Sequence, residues 1–182
     1  MSNLSHPSAL YALRKVTRIS ALVILLLVVV GFFMPTDYRV ERSVVVKASR
    51  DAIYQHILQG DSLPNWMFIQ DGKVDDFEGV LGEGDSVALV YNGETEQGLL
   101  SVIESSSSVI RFDVRPKPGV NLVRNQIELQ DNGSETLVTW TIEGDLNAGW
   151  LSPYLAFFAN DIAGRNFEHS LQNLKEQVEL MR

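Results

Sequence analysis

The sequence predicts an α+β fold in which a curved antiparallel sheet surrounds one long C-terminal helix. Three observations support this prediction. A β-branched strand and a short helix come first, from Tyr38 to about Gln59. Alternating strands separated by turn residues follow, from Lys73 to Gly144. A long helical pattern, from Ser152 to Arg182, closes the chain.

Composition and charge exclude several classes of function. The 182 residues, 45% of them hydrophobic, suffice for one globular domain and an appendage. The chain has no cysteine, which excludes a disulfide framework and a thiolate metal site, and its three scattered histidines argue against a histidine metal site. The net charge is −8, and every charged residue before Asp37 is basic, so the domain itself is strongly acidic. Such a domain should repel nucleic acid and anionic headgroups, and we expect no metal and no cofactor.

The N-terminal region predicts a membrane anchor. Residues 1–18 form a mostly polar tail that ends in a basic cluster, and residues 19–36 supply an anchor and a linker before the domain at residues 37–182. The uncharged run Ile19 to Met34 reaches spanning length, roughly 28 Å, if the two residues before Arg18 join it. A cleaved signal peptide is the main alternative. The bulky residues after the run do not resemble a small-x-small cleavage site, so we favour an uncleaved single-pass anchor.

The charges that flank the anchor predict its orientation. Arg14, Lys15 and Arg18 precede the apolar run, which places the tail in the cytoplasm and the domain on the non-cytoplasmic, periplasmic side. Basic residues after the run weaken this asymmetry, although charges inside a long translocated domain count for little. The linker Pro35 to Asp37 is short, so the domain should lie close to the bilayer.

The first strand and helix of the domain are predicted from local signals. Tyr38 to Lys47 is a strand pattern, and Ser49 should cap a short helix that ends near Gln59. We expect His56, in this helix, to be solvated rather than catalytic. Leu63 to Trp66 predicts a turn that presents a large aromatic side chain. The side chains expected on the inner face of the first strand are Val40, Arg42, Val44 and Val46.

The later strands alternate between two faces and are joined by hairpin turns. Asn92-Gly93 and the segment Asp131 to Ser134 are turn sequences that tolerate positive φ. The residues predicted to share a face within each strand are Val87, Leu89 and Tyr91; Ile110, Phe112 and Val114; Val123, Asn125, Ile127 and Leu129; and Val138, Trp140 and Ile142.

The C-terminal helix carries two apolar stripes. Ser152 should cap the helix, with Pro153 at its first position. One stripe has small side chains in the first half of the helix and bulky side chains in the second half. The small ones are Ala156, Asn160 and Ala163, and the bulky ones are Phe167, Leu171, Leu174 and Val178. The small residues allow either close packing on the sheet or an unfilled space. The second stripe is Leu151, Leu155, Phe158 and Ile162. It is explained by a covering loop around Leu63 to Met67, by self-association or by contact with the bilayer.

Several segments resemble one known superfamily. In order they are YRVERSVVVKASRDAIYQHI, LPNW, GVLGEGDSV, TLVTWTIEGDL and NFEHSLQNLKEQVE. They are similar to the polyketide cyclase/dehydrase and START-like lipid-binding superfamily called SRPBCC, and the resemblance covers Tyr38 to the C-terminus. It implies the helix-grip fold, with a deep apolar cavity between sheet and long helix for a lipid, polyketide or other hydrophobic ligand.

With that resemblance, the inner faces become candidate ligand contacts. The polar side chains Arg42, Asn125 and Asn160 either orient a ligand or bond to one another and to the backbone. The tryptophans Trp66 and Trp140 either line the cavity or belong to the hydrophobic core. The predicted ligand-binding residues are Arg42, Trp66, Leu89, Tyr91, Phe112, Asn125, Trp140, Asn160 and Ala163.

Catalysis finds little support in the sequence. Glu94, Glu96, Glu143 and Asp145 are possible acids or bases, but no serine elbow, metal-ligand spacing or phosphate loop accompanies them. Three hypotheses therefore stand. The favoured one is a membrane-tethered, non-enzymatic binder of a hydrophobic small molecule or lipid. The others are an enzyme of the cyclase or aromatase type and an envelope interaction module with a filled core.

Overall fold

The computed structural model describes residues 7–147 and 149–181, without the side chains of residues 7–9, 160 and 162. An N-terminal helix precedes a domain of seven strands, two short helices and one long C-terminal helix. The helices are α1 (Pro7–Phe32), α2 (Arg50–Ile57), α3 (Leu63–Trp66) and α4 (Ser152–Leu180), with a 3₁₀ turn at Gly149–Leu151. The strands are β1 (Asp37–Val46), β2 (Gly72–Val74), β3 (Ser86–Tyr91), β4 (Gly98–Ser105), β5 (Val109–Arg115), β6 (Val123–Asn132) and β7 (Glu135–Asp145).

The seven strands form one curled antiparallel sheet, in the order β1-β7-β6-β5-β4-β3-β2. The first strand pairs with the last along its whole length, from Asp37 opposite Asp145 to Val46 opposite Thr136. A bulge between Val102 and Glu104 interrupts β4 and bends the sheet. The long helix packs against β1, so the sheet curls around α4. This is the predicted helix-grip fold.

The predicted strand faces are confirmed. The inward positions of β3, β5, β6 and β7 are buried or half-buried, because alternate side chains of a strand point to the same side of the sheet. The β6–β7 hairpin also forms as predicted, and Gly133 takes φ +80° at its turn.

Of two local predictions near α2, one is confirmed and the other is corrected by the packing of α4. Ser49 does cap α2, and its Oγ accepts from the amide of Ala52 at 3.4 Å. His56, however, is buried rather than solvated, and its Nε2 lies 3.0 Å from Oε1 of Gln177 on α4. Burial and a polar partner on α4 together make His56 part of the contact between the two helices.

The segment Leu63–Trp66 is a single helical turn, α3, and not an exposed loop. Trp66 is fully buried, and its Nε1 donates to the carbonyl of Ile57 at 3.0 Å. The aromatic side chain is therefore part of the core rather than presented at the surface. The hydrogen bond satisfies the only polar atom that burial of this side chain would otherwise leave unpaired.

The long helix starts one residue earlier than the sequence predicts, whereas its bulky stripe packs as predicted. Leu151 is its N-cap, so Ser152 is the first helical residue and not the cap. The late bulky stripe is buried, with Leu171, Leu174 and Val178 almost fully covered. The opposite stripe is exposed at Leu151, Leu155 and Phe158, which means that α3 does not cover it, and the side chain of Ile162 lies outside the described residues.

The N-terminal helix α1 is continuous from Pro7 to Phe32 and includes the basic residues Arg14, Lys15 and Arg18. Its segment Leu10–Phe32 has 23 residues and is largely apolar. At 1.5 Å per residue this segment is about 35 Å long, which exceeds the hydrocarbon core of a bilayer. By length and composition, α1 could cross a membrane once.

Candidate ligand cavity

A cavity of about 310 Å³ lies between the inner face of the sheet and the middle of α4. Its wall is mostly apolar, with a few polar side chains. The apolar residues are Met67, Phe68, Ile69, Leu89, Val114, Pro116, Val123, Trp140, Ile142, Ala163 and Phe167, and the polar ones are Tyr38, Gln70, Tyr91, Asn125 and Asn166.

The cavity forms where α4 presents a small side chain to the sheet. Ala163 is half-buried above the inner face, and Phe167, one turn later, packs edge-on against Trp140 with the ring centroids 4.7 Å apart. A larger residue at position 163 would extend into the space that the alanine leaves. At Ala163 the small side chain therefore borders an unfilled space, whereas Ala156 does not line it and the side chain of Asn160 lies outside the described residues.

A loop between α3 and β2 forms the rim on one side, and it is tied to α4. The amide of Phe68 donates to Oγ of Ser170 at 3.0 Å, and the Phe68 ring lies 4.8 Å from the His169 ring. Asp71, at the end of this loop, adopts φ +56°, a conformation that non-glycine residues rarely take. These contacts hold the rim against the helix.

Trp140 is the centre of an aromatic cluster that supports the cavity wall. Its ring centroid lies 5.6 Å from that of Trp66 and 6.1 Å from that of Phe112. Both partners are fully buried and are not among the described residues that line the cavity. Trp66 and Phe112 thus belong to the packed core behind Trp140 rather than to the predicted ligand contacts.

The buried amide of Asn125 is already engaged in hydrogen bonds. Its Oδ1 accepts from Nε1 of Trp140 at 3.1 Å, and its Nδ2 donates to the carbonyl of Val123 at 3.0 Å. The first bond fixes the orientation of the indole ring in the wall. Asn125 lines the cavity, but because its amide already makes these bonds, its main role is to orient the Trp140 ring.

Arg42 does not lie where the sequence prediction needed it. It shares the inner face of β1 with Val40, but its Nε contacts Oε1 of Glu168 at 2.6 Å, and it is not among the described residues that line the cavity. Gly164 explains the position, because any Cβ there would collide with the Arg42 guanidinium. Gly164 leaves room beneath α4 for the Arg42 guanidinium, which pairs with the Glu168 carboxylate.

The structure thus divides the predicted site residues. Leu89, Tyr91, Asn125, Trp140 and Ala163 come together around the cavity, whereas Arg42, Trp66 and Phe112 lie elsewhere, and the side chain of Asn160 is outside the described residues.

Sequence reasoning missed Tyr38, Asn166, Phe167 and the rim loop. A two-residue period from Val40 could have found Tyr38, and a helical turn from Ala163 could have found Asn166 and Phe167. The rim loop has no such periodic signal.

Two tyrosines supply neutral hydroxyl groups at the cavity. Burial raises the pKa of Tyr38, and burial is also the largest cause of the raised pKa of Tyr91, with Lys117 opposing the shift. Lys117 Nζ lies 5.9 Å from the centre of the Tyr91 ring and is paired with Glu94. Both phenols therefore stay protonated at neutral pH and can donate or accept a hydrogen bond.

The acidic residues considered for catalysis lie outside the cavity. Glu94 binds Lys117 at 2.6 Å, and Glu143 binds Arg39 at 2.7 Å on an exposed part of the sheet. Glu96 and Asp145 are exposed, and none of the four is among the described residues that line the cavity. Within the part of the chain that the structure describes, no three acidic or histidine side chains cluster as a metal site would require.

Comparison with solved structures supports the fold. The Zhui aromatase/cyclase from Streptomyces sp. R1128 is 17% identical with a TM-score of 0.58, and the match covers 79% of this chain and 94% of that chain. A START superfamily protein from Mycobacterium smegmatis is 16% identical, with a TM-score of 0.60 and coverage of 80% and 99%. Norcoclaurine synthase from Thalictrum flavum, solved with dopamine and hydroxybenzaldehyde, is 11% identical, with a TM-score of 0.59 and coverage of 80% and 88%.

A family model identifies the domain more directly than these distant structures. No curated protein matches the sequence. The model described as polyketide cyclase / dehydrase and lipid transport matches residues 37–179, which run from the start of β1 into the last turn of α4. Since the match covers well over half of the chain and the helix-grip fold agrees with it, the chain belongs to this family.

Proposed function

We propose that the protein is a membrane-tethered binder of a hydrophobic small molecule or a lipid chain, which it holds between the sheet and α4. The observation that carries this proposal is the largely apolar cavity of about 310 Å³ between the sheet and α4, where membership of this family leads us to expect a ligand. A protein with a filled core would have no comparable space beneath Ala163. The solved relative that binds dopamine and hydroxybenzaldehyde also favours a small, aromatic class of ligand.

The size and chemistry of the cavity set the kind of ligand. Its volume is at the lower end of the range for drug-sized ligands, about 300–1,000 Å³. Burying about 200 Å² of apolar ligand surface would contribute roughly 5 kcal/mol before the costs of association. The neutral hydroxyls of Tyr38 and Tyr91 can orient one polar group of the ligand. A compact ring system or a single acyl chain fits these limits better than a whole diacyl lipid.

The anchor gives the proposal its cellular setting. The segment Leu10–Phe32 is long and apolar enough to span a bilayer, and the basic residues near its start favour a cytoplasmic N-terminus. Tyr38, which lines the cavity, follows the anchor after a short linker. The cavity would therefore lie near the outer surface of the membrane, where a hydrophobic ligand is most concentrated.

Native mass spectrometry of residues 37–182, extracted from cells without detergent, tests the binding function. The matched region makes up almost the whole of two solved relatives, so we expect the domain to fold without α1. We expect a retained small molecule, or saturable binding of the apolar dye N-phenylnaphthylamine to the extracted domain. A folded domain that retains no ligand and does not bind the dye would contradict the proposal.

The anchor and its orientation are tested separately in the full-length chain. We expect alkaline washing to leave the protein in the membrane fraction, and a C-terminal reporter that needs export to be active. Release by the wash would contradict the anchor. A reporter that works only in the cytoplasm would reverse the orientation without affecting ligand binding.

A further inference from the structure

The beginning of α4 and the turn before it expose an unusual concentration of large apolar side chains. The chain has no charged residue between Asp145 and Asp161. Trp150 is 67% exposed and Phe157 is 71% exposed. We call the exposed set Trp150, Leu151, Leu155, Phe157 and Phe158 the α4 apolar patch. Contiguous apolar surface of this kind marks an interaction site.

The patch lies directly beside the C-terminal end of α1. The hydroxyl of Tyr154, at the centre of the patch, donates to the carbonyl of Leu27. The Tyr154 ring also packs on Gly31, where an added Cβ would stand 3.0 Å from ring atom Cε2. A groove between the two elements is lined by Phe32 of α1 and Trp150 of the 3₁₀ turn, among others. The position of the patch is therefore set by the helix that could cross the membrane.

This contact fixes the depth of the patch relative to the end of α1. Leu27 precedes Phe32, the last residue of α1, by about 7.5 Å along the helix axis. Helices that lie in the membrane interface bury their apolar face by roughly 5–10 Å. Trp and Tyr side chains are also enriched at this level of the bilayer. The depth of Tyr154 and the residue types around it thus agree with an interfacial position.

We propose that the α4 apolar patch lies in the outer membrane interface and forms a second contact with lipid beside α1. This inference rests on the proposed anchoring by α1. The partner is a zwitterionic or neutral lipid surface, because the domain is acidic and has no basic residue in this segment to attract anionic headgroups. Contact through the patch would hold the first half of α4, and with it the side of the cavity at Ala163, close to the bilayer.

Trp150 offers a direct test, because the other two tryptophans are buried in the domain. The full-length protein is reconstituted into phosphatidylcholine liposomes in which the acyl chains carry bromine, a collisional quencher. We expect most of the Trp150 emission to be lost, and more of it with bromine near the headgroup than with bromine near the chain end. The variant Trp150→Phe should show little of this quenching. Quenching that persists in the variant would come from the buried tryptophans and would overturn the assignment to Trp150.

The same samples separate failure of this inference from failure of the anchor. If flotation recovers the liposomes without bound protein, both the anchoring by α1 and the lipid contact of the α4 apolar patch are overturned. Liposomes that carry the protein but leave Trp150 unquenched would keep the anchor and overturn the lipid contact. Cross-linking between copies at the patch in those unquenched samples would identify it as a surface for self-association.

A pair of matched substitutions tests the patch by a second route. Phe158→Asp introduces a charge in the patch, and Leu180→Asp introduces the same charge at an exposed site at the far end of α4. In the full-length protein we expect Phe158→Asp to reduce the quenching of Trp150 severalfold and Leu180→Asp to leave it unchanged. Equal quenching in the two variants, with near-ultraviolet circular dichroism showing both folded, would overturn the proposal. If Phe158→Asp unfolds, the quenching of Trp150 in the wild-type protein by bromine at the two chain positions still tests the proposed lipid contact.

Discussion

The two halves of α4 belong to one continuous helix, but they meet the rest of the molecule in different ways. In the second half, Leu171, Leu174 and Val178 are buried, and polar side chains such as Gln177 bond to α2. In the first half, Ala163 borders a cavity, and Phe158 is half exposed on the opposite side. The second half therefore completes a close-packed core, whereas the first half leaves space on one side and apolar surface on the other.

This difference assigns stability and function to separate parts of the helix. Buried side chains with well-filled surroundings dominate the free energy of unfolding. Side chains beside a cavity, or exposed to solvent, contribute much less to it, so they are free to serve binding. If this division is correct, substitutions in the second half should change stability, and substitutions around the cavity should change ligand binding.

The largest expected effect is in the second half of α4. Leu174→Ala removes a fully buried side chain, so we expect it to lower the free energy of unfolding by about 2–5 kcal/mol. Leu155→Ala, the matched change in the first half, should cost less than about 1 kcal/mol because Leu155 is already exposed. Urea denaturation of residues 37–182 measures both. Equal losses would refute the division of the helix.

A smaller effect is expected from the two buried tryptophans that donate one hydrogen bond each. Trp66→Phe and Trp140→Phe each leave a buried acceptor without its donor, the Ile57 carbonyl and Asn125 Oδ1 respectively. We expect each to cost about 1–3 kcal/mol. Only Trp140 lines the cavity, so only Trp140→Phe should change the affinity for N-phenylnaphthylamine. A comparable change in Trp66→Phe would show that dye binding reports general loosening rather than the cavity.

A still smaller effect is expected at alkaline pH. Burial raises the pKa of Tyr38, so the folded domain favours the neutral phenol more than the unfolded chain does. The stability that follows is present below the ordinary tyrosine pKa of about 10 and is lost as the pH rises through the raised folded value. Tyr38→Phe should therefore make the decline of stability above pH 10 shallower. Urea midpoints between pH 7 and pH 11 check this, and identical slopes in wild type and variant would contradict it.

The inner surface of the sheet could be predicted because a strand repeats every two residues. That period alone placed Asn125 on the same face as Ile127 in β6 and Trp140 on the same face as Ile142 in β7, and the structure agrees. The helical period in the same way identified the buried stripe at Leu171 and Leu174. These features depend on the local chain, so one sequence is enough to find them.

The partners of polar side chains at the contacts between elements could not be predicted, because they come from distant parts of the chain. Arg42 meets Glu168, and His56 meets Gln177, each more than a hundred residues away in sequence. The rim loop near Phe68 has no periodic pattern, and its position depends on Ser170 of α4. Strand alternation therefore placed Leu89, Tyr91, Asn125 and Trp140 at the cavity, but it also selected Arg42 and Phe112, whose positions depend on contacts with other elements.

Filling the cavity at Ala163 tests the central claim most directly. Ala163→Leu replaces a methyl group with an isobutyl group at the cavity wall, and Ala156→Leu makes the same change at a half-buried alanine that does not line the cavity. We expect Ala163→Leu to weaken the binding of N-phenylnaphthylamine to residues 37–182 at least tenfold, with little change in the urea midpoint. Ala156→Leu should leave dye binding unchanged. If Ala163→Leu instead costs the roughly 1–3 kcal/mol of an overpacked core and leaves dye binding intact, the cavity is not the binding site.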